Sequence, residues 1–357
     1  MPFSTKLPLH HIHPLRDSRW EEFVQTHPRS SIFHTIGWLE ALRRTYGYEP
    51  MAITTSPPDG ILQNAAVFCK VKSWLTGNRL VGLPFADHCD VLAEDAHHAA
   101  AMISHARKAL YDGMRYVEFR PIESFDGDVW GGSSSHTFCL HHLDLQPDLD
   151  TLLHNCHFNS TQRKIHRAER EGLICEESSS TRLLDTFYGL LLLTRRRHLL
   201  PPQPKSWFQN LIQCFGQALR IRVARKDSQP IAAILTLRHK DILVYKYGCS
   251  DARLHNLGGM QFLIWRSIEE AKRQGLTLLD LGRSDLDNSG LITFKDRWGA
   301  RRMVITYKRL VTATPPPQYK FLMTEPSSRK LLIEKAFSHL PNRMQRLLGS
   351  LMYRHIG

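Results

Sequence analysis

A chain of 357 residues, 42% hydrophobic and 23% charged, has length for two to three domains with true cores and too much apolar content for disorder throughout. Its 47 Lys and Arg against 34 Asp and Glu give a net charge of +13, which points to an anionic or phosphate-bearing partner: nucleic acid, an anionic lipid surface or a phosphorylated substrate. No apolar run approaches the roughly 18 residues that span a bilayer, no charged-then-apolar leader opens the sequence, and seven scattered cysteines without a C-x-x-C read as reduced core thiols; a cytoplasmic protein is expected.

In chain order, the first predicted helix covers Asp17 to Thr26, with Asp17 or Ser18 as cap and Trp20, Phe23 and Val24 on one face. A second spans Gly37 to Tyr46. Apolar runs bounded by turn residues predict strands at Met51 to Thr54, Ala65 to Val71 and Leu80 to Phe85. A helix from Asp95 to Tyr111 ends at Gly113, and a buried strand follows at Tyr116 to Arg120. The composition then shifts, and Arg163 to Arg170 reads as a basic helix closed by Gly172. Helices are expected near Leu183 to Leu199 and Pro204 to Leu219, and strands near Arg220 to Ala224, Ile231 to Arg238 and Ile242 to Gly248. A helix from about Leu257 to Gln274 ends at Gly275, with strands at Leu278 to Leu281 and Met303 to Lys308. The tail carries two amphipathic stretches, Leu331 to Phe337 and Met344 to Met352. They suit either packing on the preceding domain or contact with an anionic membrane surface.

A shift of 162 residues lays Gly113 on Gly275 and the strand at Leu80 to Phe85 on that at Ile242 to Tyr247. Both halves read strand, helix, glycine, apolar strand. Two copies of one α/β domain are therefore expected, each a mixed sheet flanked by helices. The expected bounds are 1–147 and 148–312, with a basic helical tail over 313–357.

P-loop, dinucleotide-binding, zincin and nucleophile-elbow motifs are absent. His154, Cys156 and His157 have no second ligand pair at zinc spacing, so no metal is expected. Three constellations remain. Asn256-Leu257-Gly258-Gly259 joins a strand to a helix. There, glycines admit a ligand to the backbone, and free N–H groups favour a phosphate or a developing oxyanion. Asp280 to Asp285 and Phe294 to Gly299 cluster charged and small residues after a buried strand, with Lys295 between Phe294 and Trp298. On the strand Tyr245-Lys246-Tyr247-Gly248, alternation puts Tyr245 and Tyr247 on one face.

Together these residues resemble the FemAB-like branch of the GNAT superfamily, as found beside bacterial exopolysaccharide and protein-sorting genes. The resemblance rests on Phe33 to Trp38 with Tyr46-Gly47-Tyr48, Gly82 to Phe85, Arg163 to Gly172, Asp280 to Ser284, and Gly290 to Lys295 with Gly299. It implies tandem GNAT-like domains, the first for recognition and the second for catalysis. It also implies acyl transfer to an amine, with acyl-CoA or aminoacyl-tRNA as donor and tRNA among the partners, and it places Lys295 at the active site. The spacing Arg253 to Gly259 departs from the [QR]-x-x-G-x-[GA] of CoA-using members, and the coiled-coil insertion of some bridge-forming members has no counterpart.

The expected enzyme is thus an N-acyltransferase acting on a cell-envelope or polysaccharide-related acceptor by direct attack in a ternary complex. Lys295 and the amides at Gly258 and Gly259 would stabilise the oxyanion, Asp285 would take the amine proton, and Arg283 would orient a carboxylate or phosphate. Asn256 and Leu257 complete the donor loop, and Tyr247, Trp38, Asp87, Arg163 and Arg167 are the expected substrate-binding residues. For the tail, packing on the second domain is the preferred expectation, with peripheral contact at the inner membrane's surface as the alternative. Two alternatives stand beside it: a binding module for a lipid-linked sugar or nucleic acid, and aminoacyl-tRNA-dependent formation of peptidoglycan bridges.

Overall fold

A computed structural model describes residues 7–123, 125, 129–311 and 342–356. The described chain forms two compact units. One contains residues up to Thr137 together with 305–311 and 353–356; the other contains Phe138–Val304 with 342–352. Both are mixed α/β.

In the first unit the strands His10–Ile12, Glu49–Thr54, Ala66–Val71 and Arg79–Val81 pair antiparallel in succession. Arg79–Val81 then pairs parallel with Tyr116–Phe119, and the helix Ala96–Ala106 makes the crossover that a parallel pair requires. Asp95 caps that helix, and Ala99, Met102, Ile103 and Ala106 bury its apolar stripe against Ile53, Phe68, Val117 and Phe119. The sheet is closed by the end of the strand Arg301–Val311, antiparallel to Tyr116–Phe119 with Lys308 opposite Phe119.

The second unit repeats this order. Ile174–Ser178, Leu219–Lys226, Gln229–His239 and Ile242–Ser250 run antiparallel. Ile242–Ser250 pairs parallel with Leu278–Asp285 across the helix Gly259–Arg273. The end of the strand Ser133–Asp144 closes the sheet antiparallel to Leu278–Asp285. Ile264, Trp265, Ile268, Leu279 and Trp298 form its core with Ile165 of the basic helix Arg163–Arg170. Each unit therefore takes its closing strand from the opposite half of the sequence, and neither is one contiguous segment.

Several elements differ from expectation. The strand begun at Leu80 stops at Val81, because Leu83 and Phe85 adopt positive φ of 47° and 62°. Arg120 holds that turn by donating to the carbonyls of Leu83 at 2.9 Å and Ala86 at 3.4 Å. The first helix begins at Trp20, not Asp17, whose carboxylate accepts from the main chain and guanidinium of Arg19 instead of capping. Ser133–Asp144, Ile174–Ser178 and the helices Leu149–Asn155 and Ser289–Asp296 were not anticipated. Of the two tail stretches, Leu331 to Phe337 lies outside the described residues, and the second is part of a helix, Asn342–Ile356. Met344, Leu347 and Leu351 lie exposed on that helix. No helix among the described residues is long and apolar enough to cross a membrane.

Candidate active site

The parallel strands of the second unit pair at Ile242, Leu243 and Val244 against Leu278, Leu279 and Asp280. Beyond these pairs both strands lose register, one between Tyr245 and Tyr247, the other between Asp280 and Arg283. The first irregularity makes Lys246 an extra residue, since Tyr245 faces Thr236 and Tyr247 faces the adjacent Leu235. A bulge of this kind breaks strand alternation. Tyr245 and Tyr247 therefore do not share a face, contrary to the alternation expected from sequence. Tyr245 is half-buried with its hydroxyl 3.9 Å from Sδ of Met260. Tyr247 accepts from Nε1 of Trp207 at 2.8 Å and packs edge-on to Phe208.

A cavity of about 300 Å³ opens where the strands part, at the carboxyl ends where α/β sheets bind ligands. Its floor is apolar, from Ile231, Tyr245, Met260, Leu291 and Phe294. Its rim carries the cations Lys164, of the basic helix, and Arg197, at the end of the helix Thr181–Arg197; beside them burial and the neighbouring arginines hold the imidazole of His198 below its usual pKa. Between them stands the first turn of Gly259–Arg273, whose residues Gly259, Met260 and Gln261 line the space. No side chain caps this helix. The first N–H groups of a helix have no intrahelical acceptor, and they carry the positive end of its dipole. The N–H of Phe262 is the first to turn inward, to the carbonyl of Gly258 at 2.9 Å. The N–H of Gly258 is spent on the carbonyl of His255 at 3.3 Å, so, contrary to the expectation that both glycine amides would meet an oxyanion, the donors left for an anion are those of Gly259, Met260 and Gln261.

Gly258 is left-handed at φ 77°, and a Cβ there would stand 2.3 Å from the carbonyl oxygen of Lys164. Glycine is demanded by the basic helix lying against it, so its role is to seat Lys164 beside the open helix end. Asn256 is exposed and Leu257 half-buried in the turn Ala252–Leu257.

Lys295 lies on Ser289–Asp296, the helix that also brings Leu291 and Phe294 to the cavity. It is 2% exposed, and its ammonium donates to the carbonyls of Gly282 at 2.7 Å and Arg283 at 3.0 Å. That ties the helix to the kinked strand. The guanidinium of Arg283 lies 4.0 Å over the ring of Phe138, and Asp285 is exposed at the strand's end. On the basic helix, Arg163 is exposed and donates to Asn159 at 3.3 Å, while Arg167 faces Glu171 at 3.7 Å. Trp38 and Asp87 belong to the first unit. Trp38 is fully buried against Phe33, and the main-chain oxygen of half-buried Asp87 accepts from the hydroxyl of Tyr307 at 2.8 Å.

The structure thus gathers Gly259, from the sequence-derived set, with Lys164, Thr194, Arg197, Ser250 and His255, which sequence reasoning passed over. Lys164 stood in a motif already noted, one position from Arg163. His255 stood next to the Asn256–Gly259 stretch, five residues after Ser250, whereas Thr194 and Arg197 come from a helix more than fifty residues earlier, and nothing local marks their convergence. Burial, with Arg197 and Lys164 nearby, holds the imidazole of His255 below its usual pKa, against the pull of Asp251. Among the described residues no group of three or more His, Cys, Asp or Glu is placed to hold a metal.

The second unit thus sets a splayed parallel pair beneath an uncapped, glycine-entered helix, with Lys164 and Arg197 at the edge of the cavity. Residues 157–296 match the acetyltransferase (GNAT) domain family, and the chain as a whole has the fold of the FemAB-like branch. FemX is similar over 84% of this chain and 96% of its own, with a TM-score of 0.66 at 15% identity. The C-terminal domain of a protein assigned as a lysylphosphatidylglycerol synthetase from Agrobacterium fabrum covers 89% of this chain and 94% of its own, at 0.55 and 13%. A tandem GNAT protein from the clavulanic acid biosynthesis pathway covers 87% of this chain and all of its own, at 0.54 and 13%. No curated protein sequence matches the chain.

Proposed function

We propose that the second unit transfers an acyl or aminoacyl group from a phosphate-bearing donor to an amine, by direct attack in a ternary complex. The reading is carried by the uncapped first turn at Gly259, set between Lys164 and Arg197 above an apolar floor. Amides and cations suit the donor's phosphate, and Phe294, Leu291 and Met260 suit the less polar arm that ends in a thioester or ester. Charge developing on the carbonyl oxygen would meet the same fixed amide dipoles, which need no reorganisation as the reaction proceeds. Lys295 serves by holding the helix that supplies Leu291 and Phe294. Arg163 and Arg167 extend the positive rim toward a polyanionic substrate.

Both acyl-CoA and aminoacyl-tRNA satisfy this chemistry. The FemAB-like fold and the lysylphosphatidylglycerol synthetase neighbour favour an aminoacyl group and a cell-envelope or polysaccharide-related acceptor, and the departure from the CoA-loop spacing leans the same way. The test uses the full-length chain with acetyl-CoA and with an aminoacyl-tRNA, measuring affinity against salt. Lys164→Glu with Arg197→Glu should weaken the productive donor at least about tenfold, as expected for losing charge-assisted contacts to phosphate. Unchanged affinity for both donors after that reversal would overturn the proposal. Sensitivity of transfer to RNase selects the tRNA version.

A further inference from the structure

Acyl transfer to an amine needs a group that takes the amine's proton, and the cavity wall holds a pair built for it. Ser250 ends the strand Ile242–Ser250, and its backbone is fixed on both sides by Thr194. The N–H of Ser250 donates to Oγ1 of Thr194 at 2.9 Å, and that hydroxyl donates to the carbonyl of Ser250 at 3.2 Å. The side-chain oxygen of Ser250 lies 2.8 Å from Nε2 of His255, in the turn that follows. Nη1 of Arg197 stands 3.4 Å from the same nitrogen. A guanidinium has protons and no acceptor. A guanidinium beside Nε2 favours a lone pair there over a proton; in that tautomer the imidazole carries its proton on Nδ1 and Ser250 donates to Nε2. This leaves the lone pairs of the serine oxygen for an N–H inside the cavity. Cys249, next in line, is occupied otherwise. Its thiol lies against the carbonyls of Phe187 and Ala233, and burial raises its pKa.

We propose that Ser250 and His255 form a proton relay that deprotonates the attacking amine in this cavity. The inference rests on the acyltransferase reading and adds the identity of the base. The amine nitrogen bonds to the acyl carbon of the thioester or ester. Its proton passes to Oγ of Ser250 as the hydroxyl proton passes to Nε2 of His255. The imidazolium then returns that proton to the departing sulfur or oxygen as its bond to the acyl carbon breaks. The charged groups around His255 are Arg197 and Lys164, with His198 beside Arg197, and Asp251, whose carboxylate is already held by Arg253. Their balance keeps the imidazole unprotonated at neutral pH, ready to accept.

One test needs no substrate. Long-range proton–nitrogen correlation spectra of the full-length chain, with His255 assigned by loss of its signal in His255→Asn, should show the neutral Nδ1–H form at pH 7. The Nε2–H form would overturn the relay. The second test follows transfer from the donor the chain binds to glucosamine. Ser250→Ala and His255→Asn should each slow transfer roughly 100- to 10,000-fold, the range for general-base catalysis. Donor affinity should stay within about twofold, and Ser250→Thr, which keeps the hydroxyl, should recover most of the rate. The wild-type rate should fall on acidification with a midpoint below the ordinary imidazole value of about 6.5, because the His255 pKa is lowered, and His255→Asn should lose that limb. Transfer by His255→Asn at the wild-type rate, with the same acid limb, would sink the relay alone. Failure of the wild-type chain to bind either donor would instead sink the acyltransferase reading.

Discussion

The two units share a strand–helix–parallel strand frame and differ at the entrance of the helix. In the first, Asp95 caps Ala96–Ala106, its carboxylate accepting from the N–H of His98 at 2.8 Å and meeting the ring of the same residue. That hydrogen bond and the neighbouring imidazole hold Asp95 below the usual carboxylate range. The positive end of this helix is already answered by an anion of the protein's own. In the second, Gly258 takes the same place and offers no side chain, so the amides stay open above a cavity. The first unit also has a cavity of about 310 Å³, but it lies by His105 and Lys108, near the helix's other end. One frame thus yields a closed entrance and an open one, and the residue at the capping position, Asp95 against Gly258, sets which helix leaves its first amides open.

The largest way to break this contrast is at the glycines. Gly258→Ala would drive a methyl to 2.3 Å from the oxygen of Lys164 at a φ of 77°, which must displace the basic helix. The expected loss is about 4 kcal/mol, read by urea unfolding, with faster hydrogen exchange across 163–170 and 259–273. Gly113→Ala has the same handedness at φ 79° but open space around it, so it should lose only about 1 kcal/mol. Equal losses at the two positions would mean that the close seat beside Lys164 is unimportant.

Lys295 sharpens the comparison next. Lys295→Met removes the donor from two buried carbonyls and should destabilise the chain by about 3 kcal/mol. Donor affinity and transfer rate should fall together with stability. A variant as stable as wild type but slow in transfer would return Lys295 to the chemistry itself.

The sequence carried the frame well because local physics writes it. Gly275 after an apolar stripe ends one helix, Gly113 does the same in the other copy, and the basic run Arg163 to Arg170 is a helix over those same residues. Ser133–Asp144 was illegible because its first half is polar and exposed, with the half-buried Ser135 as its one partial exception. No local pattern records that its second half closes one sheet while Arg301–Val311 closes the other. The helix Ser289–Asp296 hid behind Ser289-Gly290, a pair that reads as a loop, although Asn288 caps it by accepting from the N–H of Leu291. At the site, a bulge moved Tyr245 away from Tyr247, and Ser250 met His255 only through a turn. Constraints of that kind are tertiary, and residue spacing is silent about them.

Acidification should act on the two units with opposite sign. Burial, with Lys240 nearby, pushes His239 of the second unit down to about 4. Between that value and the ordinary 6.5, the unfolded chain binds more protons, so this contribution is lost as pH falls from 6.5 toward 4, by up to about 3 kcal/mol. Burial raises the carboxyl of Asp90 in the first unit, against the pull of His88 and Arg29. There the folded state binds the extra proton, and stability grows as pH falls from above toward the ordinary carboxyl value of 3.8. Hydrogen exchange at pH 7 and pH 5 should loosen the strand Gln229–His239 more than the segment around Asp90. His239→Gln should abolish the acid loosening of that strand and leave the segment around Asp90 as in wild type, and equal loosening of both segments in the wild type would contradict it.

The smallest effect tests whether the cap is what closes the first unit. Asp95→Ala should cost about 1 kcal/mol, the usual value of an N-cap, and it should expose the amides of the helix Ala96–Ala106 as those of Gly259–Arg273 are exposed. Capping alone does not make a donor site, because the second unit adds Lys164 and Arg197 at the rim and a cavity at the entrance. Titration of the Asp95→Ala chain with acetyl-CoA or aminoacyl-tRNA should therefore show the same stoichiometry as wild type. A second equivalent of donor bound by this variant would mean that the carboxylate alone separates the two copies, and that the cationic rim is dispensable.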